Sequence, residues 1–206
     1  MTTIPTTSMT ASEFWDWVHR PENRDRHFEL ERGKVVEVSR PGELHGVVCL
    51  NAGFILSTYI RQRRKGYACA NDTGIIWEWD PDTVKGPDLF FYDKNRTFAD
   101  LNPKWTEDVP TLVIEVLSPN DRLTKVNRRI TRFIKWGVPL VWLIDPEEQT
   151  VTIYRPDCSP EVLERDEELT GGKILADFRC QVADFFYLPT EDNGGAAPPA
   201  SSHPST

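Results

Sequence analysis

The sequence predicts an α/β fold, a mixed α+β arrangement in which a mixed β-sheet is flanked by helices. One observation is the order of helical and strand-like apolar periods along the chain, which runs α-ββ-α-ββ-β-α-β-ββ. The other is a strand–helix–strand unit formed by residues 111–117, 120–136 and 140–145. A crossover of this kind joins parallel strands, so we expect these two strands to be parallel neighbours.

The first half of the chain supplies two helices and a hairpin. Thr10 and Glu13 have the spacing of a capping box, which predicts a short helix over about 11–20. The stretch 28–39 predicts two strands around a tight turn. Apolar residues at helical intervals then predict a longer helix from Leu44 to about Arg64, closed by Gly66.

The remaining elements are mostly strands. Residues 67–80 and 86–93 are typical of strands, and the polar segment 93–110 predicts a loop. The helix over 120–136 is expected to open at Ser118 or Asn120 and to end at Gly137. The last third, with strands at 140–145 and 150–156 and a final strand at 182–188, is predicted to be β-rich.

Composition divides the chain into three parts. Residues 1–10 are expected to be a flexible N-terminus, and 11–188 a single domain, since about this length suffices for one core. Residues 189–206 are small, polar and rich in proline, which predicts a disordered tail.

Charge and cysteine content narrow the class of protein. The net charge of −8 argues against a protein that coats nucleic acid, although it leaves room for a local basic cleft. We find neither a run near the roughly 20 apolar residues of a membrane helix nor a secretion signal, so we expect a cytoplasmic protein that does not enter membranes. No two cysteines form a CxxC pair, which predicts small buried thiols in a reducing compartment: Cys49, Cys69, Cys158 and Cys180.

Two carboxylates stand out at strand positions. Asp88 follows Pro87 at the start of a strand, and Glu115 interrupts the apolar run 112–117. An ionised carboxylate among apolar neighbours is costly unless it is paired or binds a cation. Hard oxygen ligands of this kind suit Mg²⁺ or Mn²⁺, so the pair predicts a divalent metal site.

The helix that follows Glu115 is strongly basic. Lys125, Arg128 or Arg129, and Arg132 recur every three or four residues and therefore share a face. Between 122 and 135 the helix has six cations and no acid: Arg122, Lys125, Arg128, Arg129, Arg132 and Lys135. A cationic face beside paired acids indicates an anionic substrate and metal-assisted phosphodiester hydrolysis.

Several short motifs occur in a recognisable order: Phe28-Glu29-Leu30 with Gly33, His45 and Asn51, Pro87-Asp88-Leu89, the stretches 113–119 and 137–139, and Val141-Trp142-Leu143-Ile144-Asp145-Pro146. With these motifs the sequence resembles the Uma2 family, also called DUF820, a set of proposed endonucleases in the PD-(D/E)xK nuclease superfamily. The resemblance runs from about Ser12 to Leu188 and implies a restriction-endonuclease-like core.

The resemblance also implies roles for individual residues. Asp88 and Glu115 would be the metal ligands, Glu29 the additional N-terminal acid, and His45 a helix histidine near the cleft that contacts substrate. Independently of the resemblance, the cationic face of the basic helix predicts that Arg128 and Arg132 contact the phosphates of the nucleic acid. Nucleases of the superfamily commonly pair, so the resemblance also implies a possible homodimer.

One position departs from the superfamily pattern. The expected lysine two residues after the second acid is Leu117 here. The family often supplies a lysine from the following helix, and Arg129 stands at that position. Arginine binds phosphate but does not release a proton. Lys125, one turn earlier, is our candidate for the substitute.

The leading hypothesis is therefore a Mg²⁺- or Mn²⁺-dependent DNA endonuclease with Glu29, Asp88, Glu115, Lys125 and Arg129 as catalytic residues. Two alternatives remain. A catalytically inactive relative could still bind nucleic acid through the basic helix, or the fold could serve as a protein-interaction module. Glu29 and His45 could also be ordinary strand and helix residues, and the basic helix could be a solvated face.

Overall fold

The computed structural model describes residues 4–5, 7–119 and 121–189. Its α-helices are Ala11–Val18 (α1), Glu43–Arg63 (α2) and Leu123–Trp136 (α3). Its strands are His27–Glu31 (β1), Lys34–Val38 (β2), Tyr67–Ala70 (β3), Ile75–Glu78 (β4), Thr83–Lys85 (β5), Leu89–Tyr92 (β6), Leu112–Val116 (β7), Val141–Asp145 (β8), Thr150–Tyr154 (β9), Glu161–Leu163 (β10), Glu168–Thr170 (β11) and Arg179–Gln181 (β12). Short 3₁₀ turns occur at Pro21–Asn23, Phe98–Asp100 and Val182–Phe186.

A six-stranded mixed sheet in the order β10-β9-β8-β7-β6-β3 forms the centre of the fold. Strands β7 and β8 are parallel, with Glu115 opposite Leu143, which confirms the crossover predicted from the sequence. Alternate residues of β7 face opposite layers. Ile114 packs in the core cluster under α2, and Val113 packs in the cluster under α3. The mixed sheet flanked by helices is therefore confirmed.

A second sheet, which the sequence did not predict, lies under α1. It is antiparallel in the order β2-β1-β5-β4. The hairpin β1–β2 was predicted, but β5 was missed because only Val84 of its residues Thr83, Val84 and Lys85 is aliphatic. All three side chains of β5 are nevertheless buried. The third core cluster packs Phe14 and Trp17 of α1 against Leu30, Val35, Ile76 and Val84 of this sheet.

The ends of the helices partly follow their local sequence signals. The capping box of α1 is confirmed, since the Thr10 side chain accepts a hydrogen bond from Glu13 N and the Glu13 side chain accepts one from Thr10 N. Helix α2 ends in left-handed Arg64 rather than at Gly66. Helix α3 ends at Gly137 as expected, but it begins at Leu123, so the predicted start was wrong.

The late start of α3 has a local cause. The Asp121 carboxylate accepts a hydrogen bond from Ser118 N, and Asp121 N donates to Ser118 O. These two hydrogen bonds close a turn over Ser118 to Asp121, so the helix begins only after this turn. Asn120, the other predicted cap, lies outside the described residues.

The predicted final strand was also wrong. Val182–Phe186 forms a 3₁₀ helix, whose turn is closed where Gln181 N donates to an Asp184 carboxylate oxygen. Its apolar side chains Val182, Phe185 and Phe186 join the core cluster under α2, which a strand of period two would not allow at these three positions. The predicted disordered tail lies outside the described residues, except for Pro189.

All four cysteines are free. Cys158 is exposed in the turn between β9 and β10, so the expectation of buried thiols was wrong for this residue, and Cys49, Cys69 and Cys180 are half-buried. Among the described residues, α2 alone is long and apolar enough, by length and composition, to cross a bilayer. Core helices of globular proteins meet the same criterion, and α2 contributes Val48, Ala52 and Leu56 to the core.

Candidate active site at the edge of two strands

Asp88 and Glu115 lie side by side at the ends of neighbouring strands. The antiparallel register pairs Leu89 of β6 with Ile114 of β7. Continued by one residue, this register sets Asp88 opposite Glu115. Val116 N donates a hydrogen bond of 2.7 Å to Asp88 Oδ2, which fixes the aspartate against β7. Side chains directly opposite each other share a face of the sheet with Cβ atoms about 5 Å apart. The fold thus brings together the two acids that the sequence singled out.

The chain reaches Asp88 through a close approach at Gly86. A Cβ atom at Gly86 would lie 2.5 Å from the carbonyl oxygen of Asp72, so a glycine is required here. The approach brings the 71–73 turn beside the site. Desolvation and the charge of Asp88 raise the pKa of Asp72. Sequence reasoning missed Asp72, because an Asn-Asp pair is typical of an ordinary turn.

His45 lies in the first turn of α2 and holds the other oxygen of Asp88. Its Nε2 is 3.2 Å from Asp88 Oδ1. Its Nδ1 is 3.4 Å from the sulfur of Cys49, one helical turn later. Burial lowers the pKa of His45, but the hydrogen bond and charge of Asp88 outweigh it and the pKa rises. His45 is buried and both of its ring nitrogens have partners. It therefore contacts the predicted metal ligand Asp88, and its predicted contact with substrate stays a prediction.

His45, Cys49 and Asp88 could also hold a metal ion, since their ligand atoms lie within 4.8 Å of one another. Burial raises the pKa of the Cys49 thiol, which therefore favours the protonated form. The thiol and the carboxylate also contact opposite nitrogens of the imidazole. This geometry suits a chain of residues that orients Asp88. Cys49 was not identified from the sequence.

Glu115 is buried, with 2% of its surface exposed. Its Oε2 forms an ion pair with Arg129 Nη2 at a distance of 2.5 Å. Burial raises the pKa of Glu115, the Arg129 guanidinium opposes this, and the charges of Asp88 and Glu29 add to the rise. Arg129 in turn has its pKa raised by the Glu115 carboxylate. The two side chains therefore form a partly buried ion pair, in which Glu115 is buried and the side chain of Arg129 is 33% exposed.

The second oxygen of Glu115 provides a test for a metal ion. Within the described part of the chain, Oε1 is buried and has no hydrogen-bond partner. Buried polar atoms in folded proteins nearly always have a partner, so this oxygen is suited to a cation. The carboxylates of Glu115 and Asp88 are the hard ligands that Mg²⁺ and Mn²⁺ prefer. The residues therefore fit the implied ion.

Glu29 is neutralised by a lysine that the sequence reading missed. Glu29 lies on β1, and its Oε2 accepts a 2.7 Å hydrogen bond from Lys85 Nζ. The same buried ammonium is 3.2 Å from Glu31. Lys85 lies three residues before Asp88, at the end of β5. A correct prediction of β5 would have drawn attention to it.

The cations of α3 divide into two groups. Arg129 pairs with Glu115, and Arg132 bridges Glu31 and Glu78 at 3.1 and 2.7 Å. Lys125 and Arg128 are exposed, and neither has an ion-pair partner among the residues that the structure describes. In the cationic face predicted from the spacing, Arg129 and Arg132 are therefore engaged in ion pairs within the protein, whereas Lys125 and Arg128 are exposed to solvent. The catalytic and substrate-binding roles of all these residues remain predictions.

Leu117, at the position where the superfamily pattern has a lysine, is half-buried and packs on the core cluster under α3. The position is therefore an apolar contact, and the lysine in the predicted set of site residues is the exposed Lys125.

This architecture defines a nuclease-like α/β fold, with two acids meeting at the ends of neighbouring sheet strands. It is similar to the crystal structure of "a putative nuclease belonging to DUF820" from Anabaena variabilis ATCC 29413, with a TM-score of 0.71 and 25% identity over 86% of this chain and 97% of that one. The chain belongs to the Uma2 family, whose model is described as "Putative restriction endonuclease" and matches residues 11–183. No curated protein matches the chain. The resemblance inferred from the sequence motifs is confirmed.

Proposed function

We propose that the protein is a metal-dependent endonuclease that hydrolyses phosphodiester bonds in DNA with Mg²⁺ or Mn²⁺. One observation carries the proposal. Glu115 lies opposite Asp88 on the neighbouring strand, and its buried oxygen Oε1 has no hydrogen-bond partner among the described residues. Membership of a nuclease family supplies the reaction class. The family description, a restriction endonuclease, supports DNA as the substrate.

Asp88 and Glu115 would hold the ion. When bound, a divalent ion lowers the pKa of water and offsets charge on a phosphoryl oxygen. His45 and Val116 N keep the Asp88 carboxylate in place from two sides. Arg129 fixes one oxygen of Glu115 and, because it keeps its proton, contributes positive charge rather than acid–base chemistry.

The remaining predicted residues divide by their surroundings. Lys125 and Arg128 are exposed and available for phosphate oxygens, and Lys125 is our candidate for the amine that the superfamily pattern expects. Arg132 is bound by Glu31 and Glu78, which favours a role in positioning α3 over direct phosphate contact. Glu29, held by Lys85, would orient water or a second ion at the edge of the site.

Plasmid nicking tests the proposal. Wild-type protein with Mg²⁺ or Mn²⁺ should convert supercoiled DNA to open circles, and EDTA should abolish this. Asp88→Asn and Glu115→Gln should each reduce cleavage at least 100-fold and remove Mn²⁺ binding in calorimetry. Glu148→Ala, an exposed acid in the β8–β9 turn, is the control and should cleave normally. Full cleavage by Glu115→Gln would refute the proposed ligand set.

The role of Lys125 has its own comparison. Lys125 and Lys135 are both exposed lysines of α3, but only Lys125 lies near the helix start. Lys125→Ala should slow cleavage at least tenfold, whereas Lys135→Ala should leave it within twofold. Equal effects would mean that general electrostatics explains the loss. Arg129→Lys should retain cleavage, since it restores the residue type of the family pattern.

A second function, nucleic-acid binding without cleavage, is favoured by the Arg129–Glu115 ion pair. A guanidinium already occupies one oxygen of the predicted ligand. In that case wild-type protein would shift DNA in a gel with no nicking in either metal. Lys125→Glu with Arg128→Glu should abolish the shift, because both cations are exposed.

A further inference from the structure

Helix α2 carries an apolar face that nothing in the described structure covers. Leu50 and Phe54 are 73% and 70% exposed, although they lie in the middle of a 21-residue helix. Isolated exposed apolar residues are normal, but a contiguous patch marks an interaction surface. Two more exposed apolar residues, Tyr187 and Leu188, follow the 3₁₀ turn. Asn51 Nδ2 donates to Tyr187 O, which places the backbone at Tyr187 beside the helix.

The exposed face is a regular seam on the side of α2 away from the core. It consists of Glu43, Val47, Leu50, Phe54, Ser57 and Arg61, which recur at intervals of four and three residues. Val47 is half-buried and the other five are exposed. Such spacing keeps all six on one side of a helix. The buried residues of α2, such as Val48, Ala52 and Leu56, lie on the opposite side. We refer to these six residues as the α2 seam.

The seam is complementary to itself when reversed. Val47 lies three residues before Leu50, and Ser57 lies three residues after Phe54. Glu43 lies seven residues before Leu50, and Arg61 seven after Phe54. A two-fold axis midway between Leu50 and Phe54 therefore sets Leu50 of each copy against Phe54 of the other, and Val47 against Ser57. The same axis sets Glu43 of each copy against Arg61 of the other.

We propose that α2 forms an antiparallel homodimer interface in which two copies of the α2 seam pack about this two-fold axis. The apolar centre would bury Leu50 and Phe54, and the charged ends would each form an intermolecular ion pair. Within the described residues neither Glu43 nor Arg61 has an ion-pair partner in its own chain. A two-fold interface requires this kind of self-complementarity, since each patch meets its own copy.

Charge and topology favour a second copy over a lipid bilayer as the occupant. The protein has a net charge of −8, which opposes approach to anionic lipid headgroups. The face of α2 opposite the seam carries His45 and core side chains, so the helix cannot enter a bilayer without disrupting the core. Antiparallel pairing also aligns opposite ends of the two helix dipoles. The proposal is independent of catalysis.

Sedimentation equilibrium of the full chain without DNA tests the proposal. The wild type should be a dimer in the micromolar range. Leu50→Glu with Phe54→Glu should sediment as a monomer with unchanged circular dichroism. Val162→Glu, which alters an exposed apolar residue on β10, is the control and should remain a dimer. A monomeric wild type at 100 µM, or a dimer unaffected by the double substitution, would overturn the proposal.

Charge reversal tests the orientation of the pair. Glu43→Arg and Arg61→Glu should each weaken the dimer at least fivefold, and the combined variant should restore wild-type affinity. Failure of the combined variant to recover would overturn the antiparallel register.

Cross-linking gives a second measure of orientation. In a Cys158→Ser background, oxidation of a mixture of Glu43→Cys and Arg61→Cys should give a disulfide-linked dimer between the two variants. Neither variant alone should cross-link, because equivalent positions would lie about 27 Å apart along the helix axis. Cross-linking of Glu43→Cys to itself would show a parallel arrangement. Flotation of a monomeric wild type with vesicles would identify a lipid partner, and both results would overturn the proposal.

Discussion

At the scale of single residues, Glu115 shows why an acid lies in an apolar strand. Its Oε2 pairs with Arg129, and its Oε1 is buried without a partner in the described structure. A buried ion pair costs much of its attraction in desolvation, so such a pair is weak evidence of a purely stabilising role. An unsatisfied oxygen next to a second acid supports the metal site that we propose for Asp88 and Glu115.

The ion pair leads to a prediction about stability. Arg129→Met leaves the Glu115 carboxylate buried alone and should lower the free energy of unfolding by roughly 3 kcal/mol. Adding Glu115→Gln should recover most of that loss, because the uncompensated charge is removed. Urea unfolding in EDTA measures both. Arg128→Met, which alters an exposed neighbour, should change stability by no more than about 0.5 kcal/mol.

A simple additive result would argue against coupling. If the two single substitutions sum to the effect of the double variant, Glu115 and Arg129 do not depend on each other, and the ion pair has no energetic importance in solution.

At the scale of secondary-structure elements, Asp93 ties the end of α2 to the end of β6. Its oxygens accept hydrogen bonds from Arg63 at 3.1 Å and Lys65 at 2.9 Å. Its backbone N–H donates to Thr111 Oγ1. The cations come from the α2 terminus and the acid follows the strand. This clamp therefore sets the orientation of the helix that carries His45 at its other end.

The clamp should make stability depend on pH. Burial raises the pKa of Asp93, but Lys65 and Arg63 outweigh it and lower the pKa below its ordinary value of 3.8. A lowered folded-state pKa stabilises the protein above the unfolded value, and the effect is lost as pH falls through the folded value. Asp93→Asn should therefore cost about 1 kcal/mol at pH 7, and this cost should shrink as pH falls below 3.8 towards the lowered folded value.

Unfolding curves of the wild type and Asp93→Asn at pH 7, 5 and 3 test this dependence. Asp166→Asn, an exposed acid between β10 and β11, serves as the comparison and should show no such trend. A difference between wild type and Asp93→Asn that is constant over this range would mean that the amide and the carboxylate act through packing alone.

At the scale of the whole molecule, the two faces of α2 connect the site to assembly. The inner face carries His45 against Asp88, and the outer face carries the exposed Leu50 and Phe54. In the proposed dimer, the two His45 residues would lie about 21 Å apart along the helix axis. Both copies of the site would then sit on one rigid pair of helices.

Dimerisation predicts a melting temperature that depends on concentration. Mass action stabilises the folded dimer as protein concentration rises, whereas a monomer shows no such shift. The wild-type melting temperature should rise by a few degrees between about 1 and 100 µM, and that of the Leu50→Glu/Phe54→Glu variant should stay constant. Scanning calorimetry or fluorescence at both concentrations provides the measurement. A rise of equal size in the variant would exclude the seam as the cause.

The central sheet, its parallel crossover and the adjacency of the two acids could be predicted because each has a local signal. Buried strands are continuous apolar runs, so Glu115 stood out within 112–117, and the crossover fixed the direction of β7 and β8. The start of α3 and the 3₁₀ conformation of Val182–Phe186 could not be predicted from local signals of this kind. Both depend on a carboxylate, Asp121 or Asp184, capturing a backbone N–H three residues earlier.

The sequence by itself determined the family, the strand and helix order of the centre, and the identity of the two acids, because periodicity and residue type are local properties. Only the tertiary structure decided that Arg129 neutralises Glu115, that Lys85 neutralises Glu29, and that His45 holds Asp88. These partners are far apart in the chain and meet through the packing of α3, the second sheet and α2. Their contacts depend on three-dimensional distance and desolvation, which sequence spacing does not encode.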